Sequence, residues 1–166
     1  MARGRPKTII TCAITGAIHT PTMSDALPYT AEDIARQAID AAEAGAAILH
    51  LHARNPANGA VSISTEDFER FLPVIKQATD AVINISTGGS LKTTIEERIA
   101  PANRFSPEMC SLNMGPINFS FHPLANLHAS RKFVREKDFV AESDHHLFFN
   151  TFRDIAQLAH PPRLKS

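Results

Sequence analysis

Cysteine is scarce in this chain. Cys12 and Cys110 are the only two among 166 residues, and they lie far apart inside apolar segments with no metal or redox spacing around either. Both are expected as buried, reduced thiols. An excess charge of either sign is also missing, because Lys+Arg and Asp+Glu each total 17. There is no basic face to hold a nucleic-acid backbone and no acidic tail, so nucleic acid is not an expected partner. No apolar run approaches the ~20 residues a membrane span needs, and the short basic start, Met1 to Lys7, has no signal-peptide core behind it. A soluble, cytoplasmic protein with no membrane partner is expected. Low-complexity segments and close repeats are absent too. With 43% hydrophobic residues, the chain can bury one ordinary core, which predicts one domain or part of one.

The elements themselves alternate, with a short β-branched run followed each time by an amphipathic helix. Thr8 to Ile14 reads as a strand leaving through Thr15, Gly16 and Ala17 into a polar loop. Thr30 with Asp33 opens a helix carrying Ile34, Ala38, Ile39 and Ala42, which Gly45 closes. Ala46 to His52 is a second strand, apolar enough to be covered on both faces. Ser64 with Asp67 opens the next helix, and Pro73 should bend or split it. Ala81 to Ser86 is the third strand, Thr87 to Gly89 its exit, and Thr93 with Glu96 the capping box of a third helix. Met109 to Asn113 makes a fourth strand. The pattern fades from His122 to Ser143, and Phe148, Phe149, Phe152 and Ile155 suggest one more helix, ended by Pro161 and Pro162. Three consecutive strand-helix-strand units imply an α/β fold with a parallel sheet, either doubly wound or the start of a (β/α)8 barrel.

Candidate chemistry gathers at the carboxyl ends of these strands. His50 and His52 are separated by one leucine, so strand alternation points both imidazoles to one side, where they can converge on a Zn²⁺ ion. Two histidines lining a polar strand end and hydrogen-bonding their neighbours account for the spacing equally well, and no third ligand is visible. Ser86, Thr87, Gly88 and Gly89 offer hydroxyls and backbone N–H groups to a carboxylate or phosphate, although a Gly-Gly pair also serves as a plain tight turn. Ser111, Asn113 and Gly115 follow the fourth strand, so four successive strand ends carry small, polar or metal-binding groups and read as one site on one rim. Arg54 alternates onto the same side as His52 and could meet a carboxylate or simply be solvated. His145 and His146 are expected at the surface, and His19, His122, His128 and His160 are given no role.

Four strings, TCAITGAIHTP (11–21), EAGAAILHLHAR (43–54), INISTGG (83–89) and PEMCSLNMGPINF (107–119), closely resemble the β-keto acid cleavage enzymes, whose type activity is 3-keto-5-aminohexanoate cleavage. The resemblance runs from about residue 8 to about residue 155. It implies a zinc-dependent (β/α)8 barrel in which a small β-keto acid and acetyl-CoA give acetoacetate and a new acyl-CoA. It places the two zinc histidines on His50 and His52 and the substrate-carboxylate positions on Ser86, Gly88 and Gly89. Ser111 falls on an assisting hydroxyl, with Asn113 as its neighbour. A homo-oligomer is implied as well.

The sequence departs from the family in two places. Members acting on the amino-substituted substrate carry an acidic residue just after Thr-Gly-Ala, where this chain has Ile18, so a neutral or apolar β-keto acid is expected. A (β/α)8 barrel also takes ~250 residues, and the family's glutamate zinc ligand, catalytic aspartate and substrate arginine belong to a half expected after residue 155. Residues 156–166 are expected to lie outside the resemblance. The expectation is therefore a partial barrel domain over 1–155, truncated after about four βα units, with a divergent tail and no catalytic base. Open sheet edges would then invite pairing, and a catalytically inactive half-barrel is the alternative to the enzyme.

Overall fold

The computed structural model describes residues 7–89, 93–127 and 130–159. Strand β1 (Thr11–Ala13) leads through a long loop to helix α1 (Ala31–Glu43), which opens where the sequence predicts: the Thr30 hydroxyl accepts from the Asp33 N–H at 3.2 Å. Strand β2 (Ile48–Leu51) continues into β3 (Ala53–Arg54), which pairs antiparallel with β4 (Val61–Ser62). Ser64 caps a helix that is split, as Pro73 predicts, into α2 (Thr65–Glu69) and α3 (Leu72–Ala78), with the proline in the first turn of the second piece. Then come β5 (Val82–Ile85), α4 (Ile95–Phe105) and the short β6 (Met109–Cys110). Beyond them lie β7 (Ile117–Asn118), a 3₁₀ turn over His122–Asn126, α5 (Arg135–Ala141), β8 (Leu147–Phe148) and α6 (Phe152–Ala159), with β7 and β8 paired antiparallel.

The architecture is α/β around a four-stranded parallel sheet of order β1-β2-β5-β6. Spatial order follows chain order, without the reversal that marks a doubly wound sheet. Period-two alternation divides β2 and β5 between two faces. Leu49, Leu51, Ile83 and Ile85 point to the helices and are buried against Ile34 and Ala38 of α1, Phe68 of α2, Leu72 and Ile75 of α3, and Phe71 between those two helices. Each large apolar side chain of this layer contributes ~1.5–3 kcal/mol by leaving water. Ile48, His50 and His52 take the opposite face, so the core's own periodicity aims both imidazoles away from the helices.

Several expectations need correction. The capping box of α4 is Thr94 with Glu97, one residue later than expected: the string Thr93-Thr94-Ile95-Glu96-Glu97 satisfies the Thr-x-x-Glu spacing twice, and the helix takes the second choice. Phe148 and Phe149 lie outside the last helix, because Phe148 pairs with Ile117 across β7–β8 and Thr151 accepts from the Asp154 N–H at the start of α6. Cys110 is exposed and Cys12 only half-buried, since β1 and β6 are the two edges of the sheet. Pro161, Pro162, His128 and His160 lie outside the described residues.

Candidate functional site

A cavity of about 630 Å³ opens at the carboxyl ends of the parallel strands. It brings together all seven predicted site residues, His50, His52, Ser86, Gly88, Gly89, Ser111 and Asn113, which sequence places on three different strand exits. The imidazoles of His50 and His52 converge. Their Nε2 atoms are 3.1 Å apart, and their rings are nearly perpendicular at 84°. As free imidazoles, one ring donates a hydrogen bond to the other. With Zn–N bonds of ~2.0–2.1 Å, the same separation subtends roughly 100° at a shared ion, so the pair also fits two coordination sites of one divalent metal. Burial, then the neighbouring His50 and Arg54, push the His52 pKa down to about 3, which keeps its lone pair available at neutral pH. Among the described residues no group of three His, Cys, Asp or Glu converges, so the pair supplies two ligands and not a closed set.

Beside the histidines, the exits of β5 and β6 are tied together. The Thr87 N–H donates to Ser111 Oγ at 3.0 Å, and Thr87 Oγ1 donates to the Ser111 carbonyl at 2.6 Å. The Gly88 N–H donates to Ser86 Oγ at 3.2 Å. Ser86 and Ser111 thus spend acceptor lone pairs on the backbone, and each keeps an O–H to donate. Gly89 is required by space: a Cβ there would lie 2.2 Å from Thr93 Oγ1 and 2.9 Å from Arg98 Cγ. Arg98 is buried behind this turn, donating from Nε to the Thr87 carbonyl at 2.8 Å and from Nη2 to Asn150 Oδ1 at 2.9 Å, with its guanidinium 4.7 Å over the Phe148 ring. Asn84, level with His50 across β2–β5, has a buried Oδ1 that meets no partner among the described residues.

Arg54 takes neither role the sequence offered. It is 4% exposed, and its donors are used on Thr15 Oγ1 at 2.7 Å and on the carbonyls of Gly59, Thr15, Gly16 and His19 at 2.8–3.2 Å. It is a clamp that holds the loop after β1 over the site, and Thr15 and Gly16 serve that clamp instead of facing the cavity. Sequence reasoning also missed much of the wall. His146 borders the cavity while only its neighbour His145 is exposed, because the chain turns there after α5 instead of continuing as a helix. Arg135, Phe119, Phe121, Phe139 and Phe148 line the cavity from beyond the regular repeat, where no periodicity marks them.

Residues 7–163 match the family model described as beta-keto acid cleavage enzyme. The chain is 49% identical over 149 residues to the 3,5-dioxohexanoate:acetyl-CoA acetone transferase of Paraburkholderia graminis, covering 90% of this chain and 48% of that protein. It is 45% identical over 114 residues to the 3-keto-5-aminohexanoate cleavage enzyme of Acetoanaerobium sticklandii, covering 68% of this chain and 41% of the relative. The chain therefore spans about half the length of the curated relatives it matches. Among solved structures, the ternary complex of ObcA with a C4-CoA adduct and oxalate superposes with a TM-score of 0.51 at 25% identity, over 58% of this chain and 25% of that one.

Proposed function

Because the chain belongs to the β-keto acid cleavage enzyme family, we propose that it carries the metal-binding and carboxylate-binding part of a site that converts a β-keto acid and acetyl-CoA into acetoacetate and a new acyl-CoA. The observation that carries this reading is the convergence of the two Nε2 atoms, 3.1 Å apart, in one cavity with the Ser86–Gly89 turn. The strand order β1-β2-β5-β6 supports the first four strands of a (β/α)8 barrel, whose functional groups sit at this end of the sheet.

In this reading His50 and His52 hold Zn²⁺, which when bound supplies Lewis-acid polarisation of the β-keto carbonyl. The O–H groups that Ser86 and Ser111 keep free, oriented by the N–H groups of Gly88 and Thr87 that they accept from, receive the substrate carboxylate. The Thr87–Ser111 cross-link fixes the spacing of those donors before substrate arrives. Phe119, Phe121 and Phe148 give the cavity an apolar wall. Ile18 borders the cavity, and no aspartate or glutamate does so among the described residues, which disfavours a cationic substrate.

The test incubates the zinc-loaded chain with acetyl-CoA and 3-oxohexanoate and separates the products by chromatography. Acetoacetate and butanoyl-CoA, both lost in the His50→Ala/His52→Ala double variant, support the enzyme. A second reading, an inactive partial site, is favoured by the two-ligand pair; zinc and β-keto acid binding without product supports it. Failure to bind either overturns both readings.

A further inference from the structure

The cavity is unbalanced in charge. Among the described residues it is lined by two arginines, Arg54 and Arg135, and four histidines, with no carboxylate. Arg54 is consumed by the chain's own oxygens. Arg135 is not. Its Nε donates to the Asn58 carbonyl at 2.9 Å and its guanidinium lies 5.8 Å from the Phe139 ring centroid, yet among the described residues it forms no ion pair. The neighbouring Glu136 is fully buried and spends its oxygens on the N–H groups of Thr22 at 3.1 Å and Phe133 at 3.3 Å. Among the described residues, two guanidiniums against one carboxylate leave a single positive charge on the cavity side. A half-buried guanidinium with its outer nitrogens unused is a fork for an oxyanion.

Its position suggests which one. Arg135 is anchored to the β3–β4 turn through Asn58, beside the loop that Arg54 clamps over the end of β1. The Ser86–Gly89 turn lies on the other side of the His50–His52 pair, toward β6. A β-keto acid with its carboxylate at that turn and its keto oxygen at the histidines sends its acyl chain toward Arg135. We propose that Arg135 selects the acyl chain by receiving a terminal carboxylate, so that the preferred substrates are β-keto diacids. This replaces the neutral-chain expectation from Ile18 with an anionic chain, agrees with it only in disfavouring a cation, and rests on the reading of the cavity as a β-keto acid site. The phosphates of coenzyme A share the same oxyanion chemistry, so the test separates the two sources.

Binding of 3-oxoadipate, 3-oxohexanoate and coenzyme A to the zinc-loaded chain is measured by calorimetry for the wild type, Arg135→Gln, Arg135→Lys and, as a control on the same helix, Lys137→Gln. The expected result is a preference for 3-oxoadipate over 3-oxohexanoate of about tenfold or more, collapsing to near one in Arg135→Gln, partly kept in Arg135→Lys and unchanged in Lys137→Gln. Circular dichroism establishes that each variant is folded, and the lysine variant reports on charge if the glutamine variant is not. Binding of both acids without preference, or a preference that survives Arg135→Gln, overturns the assignment and leaves the cavity reading intact. Loss of coenzyme A binding in Arg135→Gln with an unchanged acid preference assigns the residue to the phosphates and overturns it as well. If neither acid binds the wild type, the cavity reading itself fails and the proposal falls with it.

Discussion

Thr87 and Ser111 are joined twice, once through the Thr87 N–H to Ser111 Oγ at 3.0 Å and once through Thr87 Oγ1 to the Ser111 carbonyl at 2.6 Å. The pair extends the β5–β6 ladder just past its last strand residues, where the Ser111 N–H still donates to the Ile85 carbonyl at 3.1 Å. Register is therefore carried from the sheet into the loops that hold the serine hydroxyls.

Thr87 is 3% exposed, and replacing it by valine leaves the part-buried Ser111 carbonyl without the hydroxyl that donates to it. The expected loss is ~1–3 kcal/mol for the unmet partner, and at ~2–4 °C per kcal/mol for a domain of this size the melting temperature drops by several degrees. Thermal denaturation followed by circular dichroism checks this. Zinc binding, which depends on the next strand over, should change little in the same variant. A parallel loss of zinc would mean that the two sites share more than a sheet.

His50→Ala and His52→Ala should each weaken zinc binding by at least tenfold, and the double variant should abolish stoichiometric binding. His145→Ala, whose side chain is 86% exposed, should bind like the wild type. Equilibrium dialysis with elemental analysis gives the stoichiometry directly. Equal zinc contents in the wild type and the double variant would remove the metal from the site and leave the 3.1 Å contact as a hydrogen bond between rings.

What could be read from the sequence was local and periodic. The alternation of Leu49, His50, Leu51 and His52 was enough to put two imidazoles on one face, and Thr30, Ser64 and Pro73 marked helix boundaries because caps and proline act within one turn. Where local rules gave two solutions, as at Thr93 and Thr94, packing chose between them. The sequence was silent where a contact joins distant segments. Arg54 follows His52 in a strand pattern, and only the fold brings the carbonyls of residues 15–19 around it. Phe148 sits in a helix-like string until Ile117 arrives beside it. The exposure of Cys110 depends on its place at a sheet edge, which composition does not encode.

Gly89→Ala tests whether the Ser86–Gly89 turn is shaped by its surroundings. A methyl group there collides with Thr93 Oγ1 and lies 2.9 Å from Arg98 Cγ, so the threonine must rotate and the buried arginine must shift as well. Overpacking of this kind costs ~1–3 kcal/mol, and it should also weaken carboxylate binding because Arg98 holds the Thr87 carbonyl. Gly16→Ala provides a contrast. Nothing lies within 4 Å of its added Cβ, but its φ of +63° makes the cost one of backbone strain without a change at the turn. Calorimetric binding of 3-oxohexanoate should fall in the first variant and hold in the second.

Glu136 links acid stability to the loop over the site. Burial would raise its pKa, but the donors of Thr20, Thr22 and the Phe133 N–H outweigh it and hold the carboxyl below its ordinary 4.5. The unfolded chain then takes up the proton first as pH falls, so the stabilisation is fully present above 4.5 and is lost on acidification through the lower folded value. Melting temperature measured from pH 7 downward should decline below that point in the wild type. In Glu136→Gln the decline should be shallower, from a neutral-pH starting level lower by ~1–3 kcal/mol, because an amide must turn its NH2 toward the N–H of Thr22 or Phe133. Identical slopes for the two proteins would show that the acid-sensitive carboxylate lies elsewhere.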